Sequence, residues 1–177
     1  TAAFALPILE HLDMNQKAPQ ALVLAPTRAL ALQVCEAFES YAAKMQGVRV
    51  LPVYGGQGYG VQLSAPGRGA HVVVGTPGRI MDHLEKGTLE LSQLTHMVLD
   101  EADEMLQMGF VEDVETILAK TPDDKQTALF SATIPAQIRR LAQKYLHDPQ
   151  EIMIKSKTST ATNIKQRYLV VSYAQKV

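Results

Sequence analysis

The sequence predicts an α/β domain with a mainly parallel β-sheet and helices on both faces, and three observations carry that prediction. Short aliphatic and β-branched runs alternate with amphipathic stretches of helical length. Most of these runs are continuously apolar rather than alternating, the pattern of strands buried on both faces. Polar or glycine-bearing segments follow several of them at once, which is where open parallel sheets bind their ligands.

The elements follow in chain order. Phe4, Ile8, Leu9 and Leu12 share one helical face, and Pro7 is expected to bend that helix or to set its first turn. Residues 21–24 read as the first strand. Leu30, Val34, Phe38, Tyr41 and Met45 keep a helical period that Gly47 closes. A strand is expected at 48–51, then a helix after Gln57 that Pro66 and Gly67 cut short. Further strands are expected at 71–74, 97–99, 128–130 and 152–154. Helical stripes run through Phe110, Val114, Ile117 and Leu118, and through Ile138, Leu141, Ala142 and Tyr145. These stripes read as core. Residues 1–154 are thus expected to form one domain. Residues 155–163, small and polar with nothing to bury, read as a linker. Residues 164–177 contain one more strand and look like the start of a second domain. No internal repeat is visible.

Composition narrows the class. A chain of 177 residues with 46% apolar side chains can bury one substantial core. The formal net charge of -1 rules out a global basic field, so any contact with nucleic acid has to be local. Cys35 is the only cysteine, which excludes an internal disulfide and a cysteine-built zinc site; it reads as a buried small apolar residue. No apolar stretch approaches the roughly 20 residues needed to cross a bilayer, and no signal-peptide pattern opens the chain. A cytoplasmic address and no membrane partner are the expectation. The opening Thr1-Ala2-Ala3-Phe4 has no starting methionine and enters a helical pattern directly, so residues upstream are expected.

Chemistry concentrates after the strands. Asp100-Glu101-Ala102-Asp103 follows the run 97–99. A carboxylate at the tip of a buried strand is how P-loop nucleoside triphosphatases hold the Mg²⁺ of a nucleoside triphosphate, and an adjacent Glu can orient or deprotonate the attacking water. The plainer alternative is an acidic turn that favours the positive end of the next helix. Ser131-Ala132-Thr133 follows the run 128–130. Strand tips lie about 5 Å apart, within reach of the Asp103 carboxylate, although taken alone the triplet before Pro135 is most simply a helix N-cap. Pro26-Thr27-Arg28 and Thr76-Pro77-Gly78-Arg79 each offer a hydroxyl, a guanidinium and helix N-terminal amides, the donors a phosphodiester backbone needs. Gly55-Gly56 lets a polymer approach the main chain. Each taken alone also reads as an ordinary tight turn.

Taken together these five motifs, in this order and spacing, resemble the DEAD-box RNA helicases, and the bacterial branch of that family most. The phrases Val72-Val73-Val74-Gly75, Asp103-Glu104-Met105-Leu106 and Met108-Gly109-Phe110 are similar to the family's as well. The resemblance covers essentially the whole chain. It implies a RecA-like P-loop NTPase domain, a second RecA-like domain beginning at 164–177, ATP and Mg²⁺ as cofactors, and RNA as partner. By the resemblance Asp100 holds Mg²⁺ largely through water, Glu101 activates the hydrolytic water, and Asp103 bonds Ser131 and Thr133. Thr1 matches the last residue of a Gly-Lys-Thr phosphate loop, whose hydroxyl binds Mg²⁺. Pro26, Thr27, Arg28, Gly55, Gly56, Thr76, Pro77, Gly78 and Arg79 line the RNA track, reading backbone rather than base sequence.

Two departures qualify the resemblance. The rest of the phosphate loop, the upstream adenine-reading glutamine motif and the second domain's arginines are not among these residues, so the 177 residues alone are expected neither to hydrolyse ATP nor to unwind RNA. Ala29 stands where the family usually has Glu, which predicts slacker support of Arg28. Three other readings compete: an RNA-binding scaffold without turnover, a DNA helicase of a neighbouring superfamily, and a metabolic α/β enzyme. Intact acidic and hydroxyl motifs argue against the first, the Asp-Glu-Ala-Asp and Ser-Ala-Thr strings against the second. Phosphate-type donors at several strand tips argue against the third.

Overall fold

A computed structural model describes residues 1–56, 69–154 and 167. Its elements are α1 (Ala2–Glu10), β1 (Ala21–Leu24), α2 (Arg28–Tyr41), β2 (Val50–Val53), β3 (Val72–Gly75), α3 (Pro77–Glu85), β4 (His96–Leu99), α4 (Ala102–Gln107), α5 (Val111–Ala119), β5 (Gln126–Leu129) and α6 (Ala136–Tyr145). The strands form one parallel sheet in the order β2-β3-β1-β4-β5. The expected α/β architecture is present.

Side-chain alternation along the strands divides the core in two. Leu22, Leu24, Val73, Met97 and Leu99 face a layer built from Ile80, Met105, Ile117, Leu118, Ile138 and Leu141 of α3 to α6. Ala21, Val23, Val72, Val74 and Val98 face α1 and α2 through Phe4, Ile8, Val34 and Phe38. β1 and β3 are fully buried along their length, so their sequence shows no polar alternation. Burying a side chain such as Leu22 contributes roughly 1.5–3 kcal/mol. Phe4 ties α1 to both neighbours, with ring centroids 6.2 Å from Phe38 and 5.3 Å from Phe130. Cys35 is buried as expected, and burial, with Glu39 and Glu36 adding, pushes its thiol up to about 12.

Several boundaries differ from expectation. β2 begins at Val50, not 48, because Arg49 spends its carbonyl on the amides of His71 (3.0 Å) and Val72 (3.2 Å) before the ladder proper starts. The long helix stops at Tyr41, six residues before Gly47, which sits at φ +84° after a run of turns. Pro7 lies inside α1, without ending it. Residues 152–154 are not a strand: Ile152 and Ile154 are 88% and 92% exposed, and among the described residues no ladder partner meets them. An apolar composition makes a strand only where a neighbouring backbone completes its hydrogen bonds. The expected helix after Gln57, the linker at 155–163 and the strand expected from Gln166 fall outside the described residues, Arg167 apart. Among the described residues no helix is long and apolar enough to cross a membrane.

Candidate functional site

All five strands end on one line. Val53, Gly75, Leu24, Leu99 and Leu129 are register partners across the sheet. One further rung follows: Thr76 N donates to Val53 O (3.0 Å), Ala25 N to Gly75 O (3.0 Å), Asp100 N to Leu24 O (3.0 Å) and Phe130 N to Leu99 O (2.8 Å). The five sequence motifs therefore leave the sheet side by side, at about 4.8 Å intervals. Across the rim the order is Gly55-Gly56, Thr76 to Arg79, Pro26 to Arg28, the acidic tetrad, then the hydroxyl triplet. After β1 the chain turns to the α2 side, and after β4 to the opposite side. Such a divergence opens the crevice in which α/β sheets hold ligands.

The acidic half starts with Asp100, half-buried at the tip of β4. Burial raises its carboxyl above the usual 3.8, while the Thr1 α-ammonium and the Glu101 amide (N to Oδ1 3.1 Å) draw it back in part. The Phe4 ring, 5.3 Å from that of Phe130, places the start of α1 beside the acidic rim. Glu101 has φ 51° and ψ 53°, a left-handed conformation that costs a non-glycine residue roughly 1–2 kcal/mol. It turns strand into helix within one residue, secured by Ala102 N donating to Phe130 O at 3.0 Å. Asp103 is 8% exposed and accepts from Thr133 twice at Oδ2, from the amide at 3.0 Å and the hydroxyl at 2.7 Å. Its Oδ1 accepts from Glu104 N at 3.2 Å. Burial pushes this carboxyl up, but the Thr133 and Ser131 hydroxyls and neighbouring amides outweigh it and hold the group below 3.8.

Ser131 joins the same latch through the main chain. Its Oγ accepts from Asp103 N at 3.1 Å and donates to Thr133 O at 2.6 Å. The helix-cap alternative for this triplet fails, since the N-cap of α6 is Pro135 and both hydroxyls are spent in the latch. Hydrogen bonds to a buried charge contribute about 1.5–3 kcal/mol each, so the β4 and β5 tips are firmly joined. Thr1 is the N-cap of α1, its carbonyl accepting from Phe4 N and Ala5 N, and its side chain makes no capping bond.

The other half carries cations and hydroxyls. Thr27 caps α2, its Oγ1 accepting from Leu30 N at 3.2 Å. Arg28, exposed in the first turn of α2, lies with its guanidinium carbon 4.9 Å from the centroid of the Tyr54 ring. A cation at a helix N-terminus opposes the dipole by about 0.3–1 kcal/mol, and an aromatic face returns about 0.5–1 kcal/mol. Gly56, at φ +89°, brings the β2 loop alongside, so that a Cβ there would lie 3.6 Å from an Arg28 guanidinium nitrogen. Thr76 caps α3, with Pro77 in its first turn, and accepts from Arg79 N and Ile80 N. The Arg79 side chain is only 10% exposed and pairs with Asp82 at 3.5 Å. Gly75 is required here: a Cβ would fall 2.5 Å from Val53 O.

Every site residue named from the sequence lies on this rim or at the adjoining start of α1. Arg79 is the least available, being largely covered. Sequence reading missed Tyr54, whose only local signal is an aromatic residue just before Gly55-Gly56.

A flush parallel sheet with an acid and hydroxyl latch beside capped, cation-bearing loops defines a RecA-like α/β domain. A family model described as DEAD/DEAH box helicase matches residues 1–141. The ATP-dependent RNA helicase DeaD of Mycobacterium tuberculosis (strain CDC 1551 / Oshkosh) is 60% identical over 172 residues, 97% of this chain and 31% of the relative. The protein of the same name from Escherichia coli (strain K12) is 57% identical over 171 residues, 97% of this chain and 27% of the relative. A crystal structure of a DEAD box protein from Methanococcus jannaschii superposes with TM-score 0.79 at 46% identity, over 83% of this chain and 40% of that one. A hypothetical ATP-dependent RNA helicase from Sulfolobus tokodaii gives TM-score 0.75 at 41% identity, over 84% and 43%. The chain belongs to the DEAD/DEAH box helicase family. It spans less than a third of the length of these curated relatives.

Proposed function

We propose that the chain supplies the first RecA-like domain of an ATP-dependent RNA helicase, in which RNA-stimulated ATP hydrolysis drives local duplex unwinding. What supports this reading is the shared rung, which puts Asp100 to Asp103, Ser131 to Thr133 and the Thr27, Arg28 and Thr76 segments on one edge. In this reading Asp100 and the Thr1 hydroxyl hold Mg²⁺. The donor chemistry fits that ion: Asp100 offers a half-buried carboxylate at the tip of β4, and the Thr1 hydroxyl makes no capping bond. A hard cation that keeps most of its water and binds substrate phosphates needs only one or two protein oxygens. When bound, the ion supplies charge neutralisation at the phosphates.

Glu101 orients the attacking water and accepts its proton on a carboxylate held at the strand tip. The Asp103–Thr133–Ser131 latch transmits the state of the nucleotide site to the β5 edge and to a second RecA-like domain, proposed to begin within 164–177. Thr27, Arg28, Gly55, Gly56, Thr76, Pro77, Gly78 and Arg79 form the RNA side, where Arg28 meets phosphate directly and Arg79 does so by leaving Asp82. These are backbone contacts, so binding discriminates little between RNA sequences. The test is ATP hydrolysis by a full-length protein carrying these residues, measured with RNA and with DNA of the same sequence. Strong stimulation by RNA alone is expected; equal stimulation by both, or by neither, would overturn the reading.

A further inference from the structure

We propose that Tyr54 is a positioning residue for RNA engagement: its buried ring is a fixed shelf that holds the Arg28 guanidinium toward the phosphate track. The inference rests on the reading of this rim as an RNA-binding edge. Three segments meet at the shelf. Tyr54 follows β2, is 3% exposed and belongs to the same buried cluster as Ala31 and Val34 of α2. Arg28 is exposed at the start of that helix, its guanidinium 4.9 Å from the ring centroid. Gly56, in its left-handed conformation, carries the loop past the same guanidinium.

Among the described residues nothing else orients that side chain. The first turn of α2 contains no acid, the adjacent residue is Ala29, and among the described residues no carboxylate pairs with Arg28. An arginine left free would lose rotamer entropy on meeting a phosphate. The ring removes part of that loss in advance. It also does so without consuming the N–H fork: a carboxylate partner would compete with phosphate for those donors, whereas a stacked face leaves the guanidinium edge open for a bidentate contact. Tyr54 itself touches no RNA in this arrangement and acts only through Arg28.

The test compares Tyr54→Leu, which keeps apolar bulk but removes the π face, with Tyr54→Phe, which keeps the ring. Each is made in the full-length protein, and ATP hydrolysis is titrated with RNA. Tyr54→Leu is expected to raise the half-saturating RNA concentration about 3- to 10-fold with kcat unchanged at saturating RNA. Tyr54→Phe should stay within about 2-fold of the parent. An unchanged half-saturation in Tyr54→Leu, or a parallel fall of kcat and Tm that Tyr54→Phe shares, would overturn the proposal. Should Tyr54→Leu fail to fold, the Arg28 Nε–H resonance of the parent decides, assigned by its disappearance in Arg28→Lys. An upfield ring-current shift supports the shelf, and an unshifted signal rejects it. A parent protein that RNA does not stimulate would sink the functional reading instead, and the resonance would still report on the stacking.

Discussion

Where β4 and β5 end, carboxylates are held by bonds across strands: Asp103 takes two donors from Thr133, and Ala102 N reaches Phe130 O. Where β1, β2 and β3 end, the donors are held by local caps and by a ring, with Thr27 closing on Leu30 and Arg28 lying over Tyr54. The first turn of α4 carries Asp103 and Glu104, in accord with its dipole, while the first turns of α2 and α3 carry no acid and contain Arg28 and Arg79. In the acidic half Asp103 is thus fixed by several donors, while Asp100 stays half-buried with its carboxyl raised by burial. The basic half keeps positive helix ends unneutralised, which is what an incoming polyanion requires. In the proposed reading one rim holds two sites, and their perturbations should separate.

The largest expected effect is chemical. If Glu101 accepts the proton of the attacking water as proposed, Glu101→Gln should lower kcat at least about 100-fold while nucleotide and RNA binding persist. Parallel loss of RNA affinity would break the separation of the halves. Thr133→Val comes next: it deletes the 2.7 Å hydroxyl bond to Asp103 and should cost about 2 kcal/mol of stability by denaturant unfolding. RNA half-saturation should be less affected than unwinding per ATP hydrolysed, because the latch and not the RNA donors is loosened.

Acid should also separate the halves. His71 and His83 lie under the basic half and are both held below the usual 6.5, first by burial and then by Arg49 and Arg79 respectively. A histidine whose folded pKa is depressed contributes stability fully above 6.5 and loses it as the pH falls through 6.5 toward the folded value. Asp103, depressed below 3.8, keeps its contribution until far lower pH. Tm should therefore begin to fall near pH 6.5, with hydrogen exchange rising first in β3, and His83→Gln should flatten that first phase. A decline that starts only below pH 4 would contradict it. The smallest effect is expected from Ala29→Glu, which places an acid in the first turn of α2. It should add about 0.3–1 kcal/mol of stability and, by engaging Arg28, shift RNA half-saturation by no more than about 2-fold.

The fold class and the rim motifs were legible because both reside in local pattern: continuous apolar runs for buried strands, polar residues directly after them. β1 matches its expected bounds for that reason. What local pattern does not encode is lateral order. β3 lies between β2 and β1, so Gly56 reaches Arg28 across the end of β3, a proximity no local pattern signals. Tyr54 and Arg28 are 26 positions apart, and no periodicity links them. The left-handed Glu101 was equally hidden, since an acidic tetrapeptide reads the same in any backbone conformation. Residues 152–154 show the converse, an apolar triplet with no pairing backbone among the described residues.

The account depends most on the independence of the two halves, and Arg28 probes it directly. ATP hydrolysis by the full-length Arg28→Ala protein, titrated with RNA, should show half-saturation raised about 10-fold, with the KM for ATP and the plateau rate within about 2-fold of the parent. A depressed plateau at saturating RNA with half-saturation unchanged would mean that Arg28 serves the chemistry rather than the RNA, and the division of the rim would be wrong.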